Sequence, residues 1–275
     1  MATFQACPQK YKYQFVDRLH RVDTQDTGLP RTFGAALHAG LEAYYQGGMP
    51  RVMEQAFLAA YPLTIPLTEH LYTVANGIEV LLQYPAFAQA NEAGWKLLEC
   101  ETRRELAIEG LPDAYELKPD AIFETPMGII GMDTKSTQKS LTGLYWGQFD
   151  HSDQLSGYWR YIQRTYGDCA GFYVNVIQLG HRSRMYKGEP AGFWVKFERQ
   201  RFERTEAQLL TWEANVRTWN QRIKRALHLE EWGRVRSMCQ WCEYADLCLS
   251  GGDAQVQVAL YETVDPTAYL KGEAQ

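Results

Sequence analysis

The stretch from Tyr115 to Thr137, YELKPDAIFETPMGIIGMDTKST, constrains the fold most, because it sets two acids and a lysine at strand spacing around a turn. Leu117 to Thr125 is rich in strand formers, Pro126, Met127 and Gly128 supply turn chemistry, and Ile129 to Thr134 reads as the return arm of a β-hairpin. Alternation puts Asp133 and Lys135 on the face of Gly131, with Ile130, Met132 and Thr134 on the other. The hairpin brings Asp120 across from Asp133, where two carboxylates repel unless a cation lies between them. Oxygen ligands of this kind suit Mg2+ or Mn2+. An acid and a lysine on one strand face also describe a solvated surface or a weak cross-strand pair. The rest of the chain has to discriminate.

At 275 residues the chain has ample sequence for a buried core, and 45% hydrophobic residues with a mean hydropathy of -0.40 fit a globular protein. No apolar run reaches bilayer length, and MATFQACPQKYKYQF carries polar residues where a signal peptide needs an apolar core, so a cytoplasmic protein without a membrane partner is expected. The formal net charge of -5 is unevenly spread: residues 180–236 hold 13 Lys or Arg against 7 Asp or Glu, leaving -11 for the remainder. A positive region beside an acidic one suits a nucleic-acid groove next to carboxylate ligands.

Residues 4–21 interleave Lys10, Lys12, Arg18 and Arg21 with Tyr11, Tyr13 and Phe15, a pattern that serves base stacking and phosphate neutralisation or an amphipathic helix with its rings in the core. After a polar loop with Gly28 and Pro30, Thr32 is placed to cap a helix from Phe33 to Tyr45 with a stripe of Leu37, Leu41, Tyr44 and Tyr45 that His38 shares. Residues 51–91 read as a helical insertion of two packing helices, broken near Pro62 and Pro66. Trp95 to Ile108 begins as a strand with Glu99, Glu101 and Arg103 on one face. Ser136 to Asp150 reads as a mobile loop, followed by a helix that Ser152 caps, in which Gln154 and Tyr158 share a face. Strands are expected from Cys169 to Leu179 and Gly192 to Phe197, with Arg182, Arg184 and Lys187 between them as phosphate contacts or a solvated tip, then a long helix from Thr205 to Leu229.

Three of six cysteines form Cys239-x2-Cys242-x5-Cys248. A disulfide framework does not suit a cytoplasmic chain, and three close thiolates need a fourth ligand, for which Cys7 is the best candidate. Cys100 and Cys169 read as small buried hydrophobes inside strands. Four thiolates suit a structural Zn2+ or an iron-sulfur cluster alike.

Pro119-Asp120, twelve intervening residues, then Asp133-Thr134-Lys135 resembles the PD-(D/E)XK nuclease superfamily. GAALHAGLEAYY is similar to the histidine-bearing helix of its RecB-like branch, and the cysteine arrangement resembles members with a C-terminal iron-sulfur cluster, including CRISPR adaptation nucleases and phage or bacterial RecB-family exonucleases. The resemblance implies an α/β, restriction-endonuclease-like core with a central mixed β-sheet flanked by helices. One nuclease domain over residues 1–250 is implied, with a tail over 251–275 and the chain ends joined by the cluster. It implies that His38, Asp120, Asp133 and the Thr134 carbonyl hold Mn2+ or Mg2+, that Lys135 is catalytic, and that Glu101 assists in preference to Glu99. Gln154 and Tyr158 match the next motif and are implied to position DNA or the lysine. Cys7, Cys239, Cys242 and Cys248 are implied ligands of a 4Fe-4S cluster, with Zn2+ the alternative.

The implied activity is metal-dependent hydrolysis of phosphodiesters in linear DNA, for recombination, repair or phage DNA processing. Two alternatives stay open: end-processing during CRISPR spacer acquisition with an integrase, and a non-catalytic DNA-binding subunit. No G-x-x-x-x-G-K-S/T motor motif is visible, so a stand-alone nuclease or a subunit is expected, with a helicase or integrase as the possible protein partner. Asp133 stands where many relatives have glutamate, and Ser136-Thr137 replaces the more usual Thr-Gly.

Overall fold

The computed structural model describes residues 1–22, 29–61, 71–185 and 191–264. They divide into two compact units, residues 28–212 and a second formed by residues 1–27 with 213–275. The second opens with α1 (Ala2–Ala6), α2 (Pro8–Tyr11), a π-helical turn (Lys12–Val16) and β1 (Leu19–Arg21). The single amphipathic helix expected over residues 4–21 is therefore broken, because Cys7 adopts an extended backbone and Pro8 starts a new helical segment after it.

In the larger unit α3 (Leu29–Tyr45), α4 (Pro50–Ala60) and α5 (Val74–Asn91) come first. Helix α3 begins earlier than expected: Pro30 sits in its first turn, where a missing N–H costs nothing, and Thr32 lies inside the helix instead of capping it. The breaks expected near Pro62 and Pro66 lie outside the described residues. Next come β2 (Lys96–Cys100), β3 (Arg104–Leu106), β4 (Tyr115–Leu117), β5 (Ala121–Thr125) and β6 (Gly128–Thr137). They are followed by α6 (Gly143–Gly147), α7 (Asp153–Tyr166), β7 (Gly171–Arg182) and β8 (Gly192–Phe202).

A five-stranded sheet in the order β2-β5-β6-β7-β8 forms the centre, and β3 with β4 makes a separate ribbon. Only β6 and β7 run parallel; the other pairs are antiparallel. A parallel pair needs a crossover, and α7 supplies it. Ser152 accepts a hydrogen bond from Leu155 N at its start, and Gly167 ends it in the left-handed conformation at φ 90°. This is the mixed, helix-flanked α/β architecture expected from the sequence. The chain from Ser136 to Asp150 is shorter on loop than expected, since β6 continues to Thr137 and α6 occupies Gly143–Gly147.

The two faces of the sheet carry different helices. Phe33, Leu37 and Leu41 of α3 pack with Phe57 of α4, Leu81 of α5 and Ile177 and Leu179 of β7, each such apolar side chain contributing roughly 2 kcal/mol by burial. Opposite, Phe172 stacks on Tyr158 of α7. Gly131 lies here: a Cβ would fall 2.7 Å from Ile162 Cδ1 and closer still to the Phe172 ring. Cys169 is buried in the turn before β7, not inside a strand as expected, and Cys100 is the last residue of β2.

A buried polar network ties these layers together. Arg199 of β8 pairs with Glu92 at 2.6 Å, donates to Asn175 Oδ1 at 3.2 Å and lies over the rings of Phe87 and Trp95. Asn175 in turn donates to Tyr84 at 3.1 Å and to Thr134 Oγ1 at 3.4 Å.

Helix α8 (Glu206–Leu229) begins in the larger unit and continues into the smaller, where a 3-10 turn (Arg236–Trp241), α9 (Ala245–Leu249), α10 (Ala254–Leu260) and β9 (Tyr261–Thr263) follow. Strand β9 pairs with β1, so segments far apart in sequence are joined by backbone hydrogen bonds over a core of Tyr13, Leu19, Tyr244, Leu247 and Tyr261. No described helix is long and apolar enough to cross a membrane.

Candidate metal centre

Register decides the acids. Ala121 pairs with Met132 and Ile122 with Gly131, so Asp120 and Asp133 stand opposite one another at the open end of the β5–β6 hairpin, as the alternation predicts. Both are sunk in the protein, and their mutual repulsion is visible: burial first, then the Asp133 charge, pushes the Asp120 carboxyl up to about 7. Asp120 Oδ2 accepts the Thr134 N–H at 2.5 Å, while Asp133 Oδ2 lies 2.7 Å from Lys135 Nζ. Burial would lower the Lys135 pKa, but Asp133 raises it further, so the lysine is held as an ammonium ion.

The apolar stripe of α3 seats that helix on the sheet and turns His38 towards the end of β6. Its Nε2 donates to the Thr134 carbonyl at 2.9 Å, which leaves Nδ1 facing Glu101 Oε1 at 3.2 Å and Asp120 Oδ2 at 3.4 Å. Burial would depress the imidazolium, yet Asp120 and Glu101 override it and carry the His38 pKa to about 9. Glu101 also pairs with Lys118 through Oε2. Burial would raise the Glu101 pKa, but its hydrogen bonds with His38 and Lys118 bring it below the usual range. Ligand atoms of His38, Glu101 and Asp120 come within 4.8 Å of one another, a donor set of one imidazole and two carboxylates that fits Mn2+ or Mg2+.

Glu99 and Glu101 do not share a face. The register of β2 against β5 shifts between Leu97 and Glu99, and Glu101 lies beyond the strand with φ at 49°. Glu99 turns to Tyr161 at 2.9 Å, Tyr166 at 2.5 Å and Arg104 at 2.8 Å, so that of the two glutamates only Glu101 stands beside His38 and Asp120.

The sequence profile of the PD-(D/E)XK nuclease superfamily matches residues 1–249. The chain belongs to the PD-(D/E)XK nuclease superfamily. No curated protein matches its sequence. Eight chains among the solved structures match, two of them as follows. A candidate exonuclease from Eubacterium rectale has a TM-score of 0.46 at 13% identity over 80% of each chain, and a protein designated SSO0001 has 0.32 at 14% over 90% of this chain and 96% of that one.

In this nuclease Gln154 and Tyr158 are joined to the lysines. Gln154 Nε2 donates to Tyr158 OH at 2.8 Å, its Oε1 lies 3.4 Å from Lys135 Nζ, and Tyr158 OH donates to the Lys118 carbonyl at 2.8 Å. Lys118 was not singled out from the sequence, although it stands two residues before Asp120 and so shares its side of an extended chain. A cleft of about 700 Å3 opens over the group, lined by His38, Glu101, Lys118, Thr134 and Lys135.

In the smaller unit Cys7, Cys239, Cys242 and Cys248 line one cavity of about 840 Å3 together with Lys10 and Arg234. All are free thiols. Burial raises the Cys242 thiol and so do the adjacent Cys248 and Cys7; burial also raises Cys248, which feels Cys7 and Cys239. Cys100 and Cys169 stand apart, with burial pushing each up to about 12. Of the loop cations, Arg182 lies over the Trp194 ring, and Lys187 falls outside the described residues.

Proposed function

We propose that this nuclease is a divalent-metal-dependent exodeoxyribonuclease acting on linear DNA. The observation that carries it is the convergence of His38, Glu101 and Asp120 beside the Asp133–Lys135 pair at the open end of the β5–β6 hairpin. Mn2+ or Mg2+ bound there supplies Lewis acidity, which acidifies a water molecule and offsets charge on the scissile phosphate. The chain's own groups do the rest. Asp133 holds Lys135 charged, Gln154 fixes its direction, and its Nζ is placed to orient the attacking water and to neutralise charge that develops on the phosphate. Thr134 keeps Asp120 and His38 in place through its N–H and its carbonyl, and that carbonyl and the Asp133 carboxylate are the further candidate ligands.

The four cysteines around one cavity support a 4Fe-4S cluster. Four thiolates around a single Zn2+ would lie roughly 4 Å apart by the usual zinc–sulfur bond length, and among the described residues these four do not form so tight a group. Such a cluster would reinforce the β1–β9 pairing of the same unit. Because the family match spans both compact units, we take residues 1–250 as one nuclease domain.

Purified protein with Mn2+ or Mg2+, on 5'- and 3'-labelled linear single-stranded and duplex DNA beside a closed single-stranded circle, tests the proposal. Progressive shortening of linear DNA is expected, and Asp120→Ala, Asp133→Ala or Lys135→Ala should abolish it. Rapid cutting of the circle, or discrete fragments from a plasmid, would overturn the exonuclease reading.

A further inference from the structure

Lys118 is the cation of the site that the chemistry above leaves without a task. Both oxygens of Glu101 are engaged: Oε1 faces His38 Nδ1 at 3.2 Å, and Oε2 is taken by the Lys118 ammonium. A divalent ion that draws on the Glu101 carboxylate therefore competes with that ammonium, since two cations close to one carboxylate repel. The displaced side chain has somewhere to go. Lys118 is half exposed and lines two hollows at once, the cleft that holds His38, Glu101 and Lys135, and a neighbouring groove of about 510 Å3.

That groove is lined by Arg103, Arg104, Glu105, Glu116, Leu117 and Lys118, so three cations face two acids. A phosphodiester lying in that groove would meet its cations. Arg104 is already held by Glu99 at 2.8 Å, which leaves Arg103 and a released Lys118 as the groups to meet it. The backbone of Lys118 is meanwhile anchored. Tyr158 OH donates to its carbonyl at 2.8 Å, and the same hydroxyl is linked through Gln154 to Lys135. One pair of residues on α7 thus fixes the backbone of one lysine and the ammonium of the other, and only the Lys118 side chain is free to turn.

We propose that Lys118 is an exchangeable counter-ion: it holds Glu101 until the divalent ion binds, then turns to a backbone phosphate of the DNA strand in the groove beside the cleft. No covalent bond changes; the ammonium moves from a carboxylate to a phosphodiester. This rests on the nuclease reading, and it assigns Lys118 and Arg103 to a phosphate subsite next to the scissile position.

The two halves predict effects of opposite sign. Lys118→Met removes a competitor for Glu101, so Mn2+ titrated calorimetrically into the protein without DNA should bind about tenfold more tightly than to wild type. Fluorescence anisotropy of a labelled single-stranded oligonucleotide, with Ca2+ in place of Mn2+, should show DNA binding about tenfold weaker, with a salt slope about 0.7 shallower for one lost phosphate contact. Lys118→Arg should stay within threefold of wild type in both. Far-UV circular dichroism and melting temperature check that the variants fold, and Lys118→Gln serves if the methionine variant does not. Unchanged or weaker Mn2+ binding by the variant overturns the exchange, and unchanged DNA affinity and salt slope overturn the phosphate subsite. Wild-type protein that neither binds nor cuts DNA sinks the nuclease reading and the subsite with it, while the Mn2+ titration still decides the exchange.

Discussion

Metal uptake by this nuclease should be steeply dependent on pH, because the site holds protons where an ion needs lone pairs. His38 carries its proton up to about 9 and Asp120 up to about 7, whereas Glu101 is already ionised at neutral pH. A ligand has to shed its proton to bind a cation. At pH 7 roughly one His38 in a hundred is neutral, a handicap of about 3 kcal/mol. Apparent Mn2+ affinity should rise about tenfold per pH unit from 7 to 9 and more steeply below 7, where Asp120 also gives up a proton. Between pH 6.5 and 8.5 the two protons leave as a coupled pair, and the gain over that window should exceed about tenfold. Both folded-state values lie above the ordinary ones of 6.5 and 3.8, so the folded metal-free protein holds extra protons and loses stability as pH rises through 7 and then 9. Added Mn2+ should reverse that loss. Calorimetric titration in buffers of differing ionisation enthalpy reads the proton release directly, and His38→Gln should flatten the profile above pH 7. Wild-type affinity constant within threefold from pH 6.5 to 8.5 would refute the assignment of these protons.

Three further outcomes follow from packing and charge. Arg199→Met strands Glu92 in the interior and should cost about 3–5 kcal/mol, seen as a fall of roughly 10 °C in melting temperature, while Arg199→Met with Glu92→Gln should recover part of it. Gly131→Ala pushes a methyl against Ile162 and Phe172 behind Asp133, and should cost about 1–3 kcal/mol in urea unfolding and slow cleavage with it. Protein purified without oxygen should be brown with about four iron atoms per chain. Serine at Cys7, Cys239, Cys242 or Cys248 should remove the colour, serine at Cys100 or Cys169 should not, and stoichiometric zinc in a colourless sample would select the zinc site.

What could be read from the sequence divides by how many long-range contacts a residue needs. Asp120 and Asp133 were legible because one turn fixes the register of a hairpin, and strand alternation does the rest. His38 was not legible from periodicity alone: the stripe of Leu37 and Leu41 says that α3 packs, but not which side chain at the stripe's margin reaches the end of β6, and only the resemblance pointed to it. Glu99 and Glu101 show the limit most clearly. Alternation put them together, but the register shift after Leu97 and the left-handed backbone at Glu101 send them to different places. A left-handed glutamate costs about 1–2 kcal/mol, which no local pattern announces and which persists only where the surroundings impose it. Here the surroundings are His38 and Lys118, one on each oxygen. The strained residue is therefore the one that α3, the end of β2 and the segment before Asp120 have to agree on, and an agreement among three separate segments is what a reading of any one of them cannot supply.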